Sequence, residues 1–363
     1  MEIKDYTLEA VELLKRLIAT PSVSRDEAAA ADILSDFIEK CGIPCRRIGN
    51  NVLVQEEIDE TKPTLLLNAH IDTVKPVSSW TRDPFTPVVE GDKLYGLGSN
   101  DCGGGLVSLL QVYRILRGRT TEHTTSMVRQ GSALPYNLVY LASCEEEVSG
   151  ENGFRLALPE LPKIDVAIVG EPTGMQPAIA EKGLMVIDGI AHGKSGHAAR
   201  NEGVNAIYEA LDDLLWLRDY RFKKNSVLLG PTKMTVTMVN SGTQHNVVPD
   251  ECRFVIDVRT NEYYQNEYLF SFLQKHMKKC ELKARSFRLA SSHIPVGHPL
   301  VQRAIEMGMT PYGSPTLSDQ ALMPFLSFKL GPGESSRSHS ADEYICISEI
   351  EDAISTYVRL ISA

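Results

Sequence analysis

The chain has 363 residues, 43% of them hydrophobic and 23% charged, with a formal net charge of -10. That length gives room for two domains with ample core. The acidic balance argues against nucleic-acid binding, which needs a basic stripe, and no apolar run approaches membrane-spanning length.

In chain order, residues 5–19 read as an amphipathic helix stopped by Pro21, with no signal-peptide pattern, and 26–41 as a second helix ended by Gly42. Residues 51–55 and 64–68 read as strands, the second short, apolar and bounded by Pro63. It delivers His70 and Asp72 at its C-terminal end, and residues two apart on an extended chain point the same way. Residues 88–94 suggest a hairpin around Glu90-Gly91-Asp92. Gly96-Leu97-Gly98-Ser99-Asn100-Asp101 then leads through glycines into an apolar helix over 103–116, which puts Asp101 on a loop tip near a helix start. Residues 117–136 form a polar, threonine-rich insertion expected to be a mobile loop. Residues 137–143 and 165–170 are buried-type strands, and this alternation predicts an α/β sheet with helices on both faces.

The pattern then changes. Strand 183–192, helix 205–217, strands 233–240 and 251–259, helix 262–279 and strand 282–289 give the order β-α-β-β-α-β, a ferredoxin-like α+β arrangement. The division expected is therefore a catalytic domain of 1–180 and 291–363, with a domain of 181–290 inserted into it. The seven cysteines form no CxxC pair, so neither a disulfide framework nor a thiolate zinc knuckle is indicated. A reducing cytoplasm is the expected compartment. Cys102 and Cys144 read as small buried side chains.

Three strand ends carry chemistry: His70 with Asp72, the triplet Glu145-Glu146-Glu147, and Glu171. Ligands in open α/β sheets bind outside the carboxyl ends of the strands. Consecutive carboxylates there repel unless a cation neutralises them, although a solvated acidic loop is the plain alternative. His339, in a polar loop after the inserted domain, adds a second imidazole. Two imidazoles and several carboxylates suit two Zn2+ ions, with Co2+ or Mn2+ possible. A shared carboxylate could bridge them, and another could stay free as general base. The glycine-rich Gly331-Pro332-Gly333 loop lets backbone amides approach a substrate carboxylate, and Arg337 could pair with it bidentately.

These residues resemble the M20 metallopeptidase family, which includes acetylornithine deacetylase, succinyl-diaminopimelate desuccinylase and aminoacylase. The resemblance rests on AHIDTV, GLGSND, EEEVSGENG, GEPT, GKSGHAAR, HNVVPDEC, DVR and HSADEY, in family order across nearly the whole chain. WTRDPF and KLYGLG point toward the acetylornithine deacetylase branch. The resemblance implies a zinc-peptidase-like mixed sheet, with the inserted domain as a lid that also makes a homodimer. It implies that His70, oriented by Asp72, and Glu171 bind one ion, that Asp101 bridges, and that His339 with Glu147 binds the other. Glu146 is then the base; the alternative register makes Glu145 the base and Glu146 the ligand. His197 would donate to the oxyanion from a neighbouring subunit, and Asn246 and Arg259 would contact substrate. One departure is Cys102-Gly103, where many relatives carry a hydrophobic residue and a lysine.

The expected activity is removal of an acetyl or succinyl group from the α-nitrogen of ornithine or a close relative such as citrulline, in arginine biosynthesis. The alternatives are desuccinylation of N-succinyl-diaminopimelate, dipeptide or aminoacylase-type hydrolysis, and a non-catalytic binding relative. The completeness of the ligand set disfavours the last.

Overall fold

A computed structural model describes residues 1–118 and 134–362; most of the insertion expected at 117–136 lies outside the described residues. The chain divides into two compact units, Met1–Ile179 with Ile294–Tyr312 and Ser318–Ala363, and Ala180–His293 with Gly313–Leu317.

In the first unit, four strands run parallel at the centre of a mixed sheet: Asn137–Ser143, Thr64–His70, Val166–Val169 and Leu326–Lys329, in that spatial order. Asn51–Gln55 and then Arg46–Ile48 extend it antiparallel on one side. Every residue of Thr64–His70 is buried, as expected of a central parallel strand covered on both faces. Leu65, Leu67 and Ala69 enter one core with the helices Ile3–Ile18, Ala28–Lys40, Gly104–Arg117 and Ile347–Ile361. Leu66 enters a smaller core on the other face, with Phe154, Ala157 and Ile164. Helices therefore cover both faces.

Register decides which residues can share a site. His70 pairs with Ser143, three residues before Glu146, and Asn68 pairs with Val169, two before Glu171. The helix that follows Asp101 is drawn close by glycine: a Cβ on Gly105 would lie 1.7 Å from the carbonyl oxygen of Gly170, so only glycine permits this approach.

In the second unit the sheet is wholly antiparallel, in the order Lys233–Ser241, Glu251–Thr260, Gly183–His192, Cys280–Ala284. Helices Ala206–Asp219 and Asn266–His276 supply Leu217, Leu269 and Leu273 to a core with Met185, Ile187 and Phe254. The expected helix 262–279 is shorter and the strand expected at 282–289 starts earlier. The cause is Asp213, a residue of the preceding helix, whose carboxylate accepts the amides of Lys278, Lys279 and Cys280 at 3.2, 3.0 and 3.0 Å. At the ends of this unit Ala180 and Glu181 pair with His293 and Ser292.

Candidate metal centre

At the C-terminal ends of the first unit's parallel strands, His70, Asp72, Glu146, Glu147 and Glu171 come together with Asp101 and His339, which arrive on loops. Asp101 lies between two imidazoles: its Oδ1 is 3.2 Å from His70 Nε2 and its Oδ2 is 3.6 Å from His339 Nε2. Glu171 Oε1 lies 3.7 Å from His70 Nε2, and Glu147 Oε2 lies 2.9 Å from His339 Nε2. Glu146 and Glu147 also place carboxylate oxygens within 4.8 Å of a His70 nitrogen. Two donor groups share Asp101, one of His70 and Glu171 and one of Glu147 and His339.

The electrostatics fit cations. Glu171 Oε1 is buried with no hydrogen-bond partner among the described residues, and a buried oxygen left unpaired is costly. Burial, then the charge of Asp101, pushes the Glu171 carboxyl up to about 8. Burial likewise holds Glu146 well above the usual carboxylate range. The hydrogen bond to Glu147 raises His339 to about 9. Against the opposing pull of burial, Cys102 and the hydrogen bond to Asp101 raise His70. These shifts favour bound protons on Glu171, Glu146, His70 and His339 where no cation offsets the crowding. Divalent cations would replace those protons, because they take imidazole neutral and carboxylate ionised.

Asp72 works differently from expectation. His70 Nδ1 is held at 2.8 Å by the backbone carbonyl of Asp72, whose nearer carboxylate oxygen is 3.6 Å away. The carboxylate instead accepts the amides of Glu146 and Glu147 at 3.0 and 3.1 Å and the hydroxyl of Ser24 at 2.7 Å. It therefore ties the acidic turn to the strand that bears His70.

Glu145 turns away from the two imidazoles. Its backbone is left-handed, with φ of 53°, and its carboxylate accepts from Asn152 Nδ2 at 2.8 Å and Asn152 N at 3.3 Å. This geometry favours the register with Glu146 and Glu147 facing the site.

Arg337 requires a correction. Its guanidinium is already engaged bidentately by Glu349, at 2.7 and 3.0 Å, and lies over the Tyr344 ring at 4.6 Å from the centroid. Both arms of the fork being filled, it does not offer a free site for a substrate carboxylate. Gly333 serves the loop itself: its φ is +82°, and a Cβ there would meet Asn100 Oδ1 at 2.2 Å.

His197, Asn246 and Arg259 belong to the second unit. Gly196–His197 pairs with Val247–Val248, and Asn246 accepts the amide of Ala198 at 3.0 Å through its backbone carbonyl. His197 Nδ1 accepts from the Ala199 amide at 3.1 Å, which assigns the proton of the neutral ring to Nε2. Arg259 is paired with Asp257 at 2.9 and 3.1 Å.

Two contributors carried no role in the sequence reading. Ser24 fixes Asp72, as above. Asn100, fully buried, binds the loop before His339: its Nδ2 donates to Glu334 O at 3.1 Å and its Oδ1 accepts from Glu334 N at 3.0 Å. Its place beside Asp101 in GLGSND was the available signal. Cys102 is buried as expected, and burial pushes its thiol up to about 12.

The chain matches Peptidase family M20/M25/M40 over residues 66–363. An acetylornithine deacetylase of Klebsiella pneumoniae (strain 342) is 30% identical over 370 residues, covering 92% of each chain. That of Proteus mirabilis (strain HI4320) is 28% identical over 376 residues, covering 94% of this chain and 93% of its own. Among solved structures, the aminopeptidase PepT of Bacillus cereus has a TM-score of 0.77 at 16% identity, over 98% of both chains. A dinuclear metal binding peptidase from the M20 family in Bacillus subtilis has a TM-score of 0.74 at 17% identity, over 99% of this chain and 98% of its own. The mixed α/β fold is shared with both.

Proposed function

The chain belongs to peptidase family M20/M25/M40 and is a hydrolase of amide bonds, and on that premise we propose that it removes a short acyl group, acetyl or succinyl, from the α-nitrogen of ornithine or a close relative such as citrulline. The observation that carries the chemistry is the Asp101 carboxylate facing His70 with one oxygen and His339 with the other. The substrate class is supported by the relatives named acetylornithine deacetylase, which match over nearly their whole length. It fits a role in arginine biosynthesis.

His70, Asp101 and Glu171 would hold one divalent ion, and Asp101, Glu147 and His339 the other, with Zn2+ the first candidate and Co2+ the second for this nitrogen and oxygen donor set. When bound, such ions supply Lewis-acid polarisation of the acyl carbonyl and ease deprotonation of the attacking water. Glu146 takes the proton of that water on its carboxylate and later hands it to the departing amine. Burial keeps its proton affinity high, which suits both transfers near neutral pH. Asp72 holds Glu146 in place through its amide. His197, with its ring proton on Nε2, is the proposed donor to the developing oxyanion, delivered from a second copy of the chain.

A homodimer through the inserted unit is part of the reading. Helix Ala206–Asp219 exposes Ile207, Tyr208, Leu211 and Leu215, and the edge strand Lys233–Ser241 exposes Met238 and Val239. An apolar helix stripe and an unpaired strand edge are features that a second copy can cover. All seven cysteines are free, in keeping with a cytoplasmic setting, and no helix among the described residues is long and apolar enough to cross a membrane.

The test is amine release by chelated protein, with and without added Zn2+ or Co2+. The substrates are N-acetylornithine, N-succinylornithine, N-acetylcitrulline, N-succinylcitrulline, N-succinyl-diaminopimelate and a dipeptide. Metal-restored turnover of one ornithine or citrulline derivative is expected and names the acyl group. Turnover of the diaminopimelate compound or the dipeptide alone would replace the substrate reading.

A further inference from the structure

We infer that Glu343 is a positioning residue of the metal centre, clamping the loop that carries Asp101 to the segment that carries His339 and so setting the spacing of the ligands around one of the two ions. The inference rests on the two-ion reading above.

Glu343 is 2% exposed, and backbone amides meet its carboxylate. Its Oε1 accepts from Asn100 N and Asp101 N, both at 2.9 Å, and its Oε2 accepts from Gly98 N at 3.2 Å. Its own carbonyl accepts the amide of Gly96 at 3.0 Å. Four contacts thus run from one residue to the turn that presents Asp101, and one of them is to the amide of Asp101 itself.

Glu343 follows His339 by four residues, so the segment that delivers the second imidazole also grips the shared carboxylate. Asn100 closes the same connection from its other end, donating to Glu334 O and to Ser338 Oγ at 3.1 and 3.3 Å. His70 and Glu171 need no such device. They stand at the ends of strands paired residue by residue. His339 lies in a loop, 55% exposed at its side chain, with a left-handed φ of 57°. Its distance from Asp101 depends on what ties the two loops together. Removing the Glu343 carboxylate leaves three amides without an acceptor and frees the Asp101 turn from the His339 segment. The ion between Asp101, Glu147 and His339 is then the one that loses its geometry.

The experiment is calorimetric titration of Zn2+ or Co2+ into the chelated full chain, for wild type, Glu343→Ala and Glu343→Gln, with a metal-free melt of each. Wild type is expected to take two ions. Glu343→Ala should weaken one ion by about tenfold or more and leave the other within about threefold, the range seen when an outer hydrogen-bond partner of a ligand is lost. Anomalous diffraction should place the retained ion beside His70. Two ions bound as in wild type, or an even loss of both, would overturn the inference. If Glu343→Ala does not fold, Glu343→Gln decides. Gln can keep an oxygen for Asn100 and Asp101 while presenting an NH2 to the Gly98 amide. A smaller loss confined to the ion beside His339 supports the role, whereas no loss or an even one overturns it. A wild-type chain that takes fewer than two ions would overturn the two-ion reading together with the inference.

Discussion

The two halves of the candidate metal centre are built on different principles. His70 and Glu171 are held by strand register, on neighbouring parallel strands, and their side chains are 1% and 13% exposed. His339 is 55% exposed and sits on a loop, and its partner Glu147 comes from a short helical turn. The first half is placed by the main chain of a buried sheet. The second is placed by side chains that reach over: Asp72 to the amides of Glu146 and Glu147, and Asn100 to the loop before His339. Such a division gives one half fixed by sheet register and one half fixed by side-chain ties between loops, with Asp101 shared between them.

The largest expected effect tests where the acidic turn joins the half fixed by sheet register. Glu146 faces His70, whereas the neighbouring Glu145 is turned onto Asn152. Glu146→Gln should keep both ions yet lower kcat by about 10²–10⁴-fold, the usual worth of a general base. Glu145→Gln should leave kcat within about threefold and instead cost stability, about 1–3 kcal/mol for weakened hydrogen bonds to a buried charged acceptor. Turnover and metal content of both variants settle it. If Glu145→Gln is the inactive one, the base and ligand register moves back by one residue.

The half fixed by sheet register was the legible half. An apolar run ending in His-X-Asp puts His70 at a buried strand end from the strand period alone, and Glu171 follows from the next strand by the same logic. The glutamate triplet was not decidable in this way. Three identical residues carry no signal for which one adopts φ of 53° and turns away; in the structure it is Glu145 that turns onto Asn152. Residues that act on backbone amides were invisible for a related reason. Asp213 trims a helix and extends a strand from another helix altogether. The spacing of Asp72 predicts a partner for an imidazole, and most of its carboxylate bonding goes to main-chain N–H groups of a distant turn. Periodicity describes a segment against its own core, not against the side chain that arrives from elsewhere.

A smaller effect separates the halves by pH in the metal-free protein. His339 is raised from 6.5 to about 9, so its contribution is fully present below 6.5 and fades as pH rises through about 9. Glu171 is raised from 4.5 to about 8, so the fold favours its protonated form and is penalised progressively as pH rises from 4.5 to about 8. Both run the same way. The chelated chain should therefore lose melting temperature between about pH 6 and about pH 9. Ions bind the deprotonated ligands, so the gap between loaded and chelated melts should widen over that range. Removing the exposed imidazole with His339→Ala should flatten part of the chelated trend and leave the Glu171 part. A gap that stays constant with pH would mean that these groups do not trade protons for metal.

The smallest expected effect concerns Arg337, at the outer edge of the half carried on loops. Its side chain is 18% exposed, and its partner Glu349 also accepts the amide of Cys346 at 2.8 Å, at the start of helix Ile347–Ile361. Arg337 thus fastens the loop before His339 to the beginning of the last helix, which is a structural duty. Arg337→Ala should cost about 1 kcal/mol or less, as partly exposed ion pairs do. For a chain of this length that is about 2 °C in melting temperature. KM should change by no more than about twofold, which is within about 0.4 kcal/mol of binding. Steady-state kinetics beside a melt reads both at once. A KM raised about tenfold with an unchanged melt would mean that the guanidinium leaves Glu349 when substrate arrives, since only a group that binds the ligand costs about 1.4 kcal/mol of affinity without costing stability.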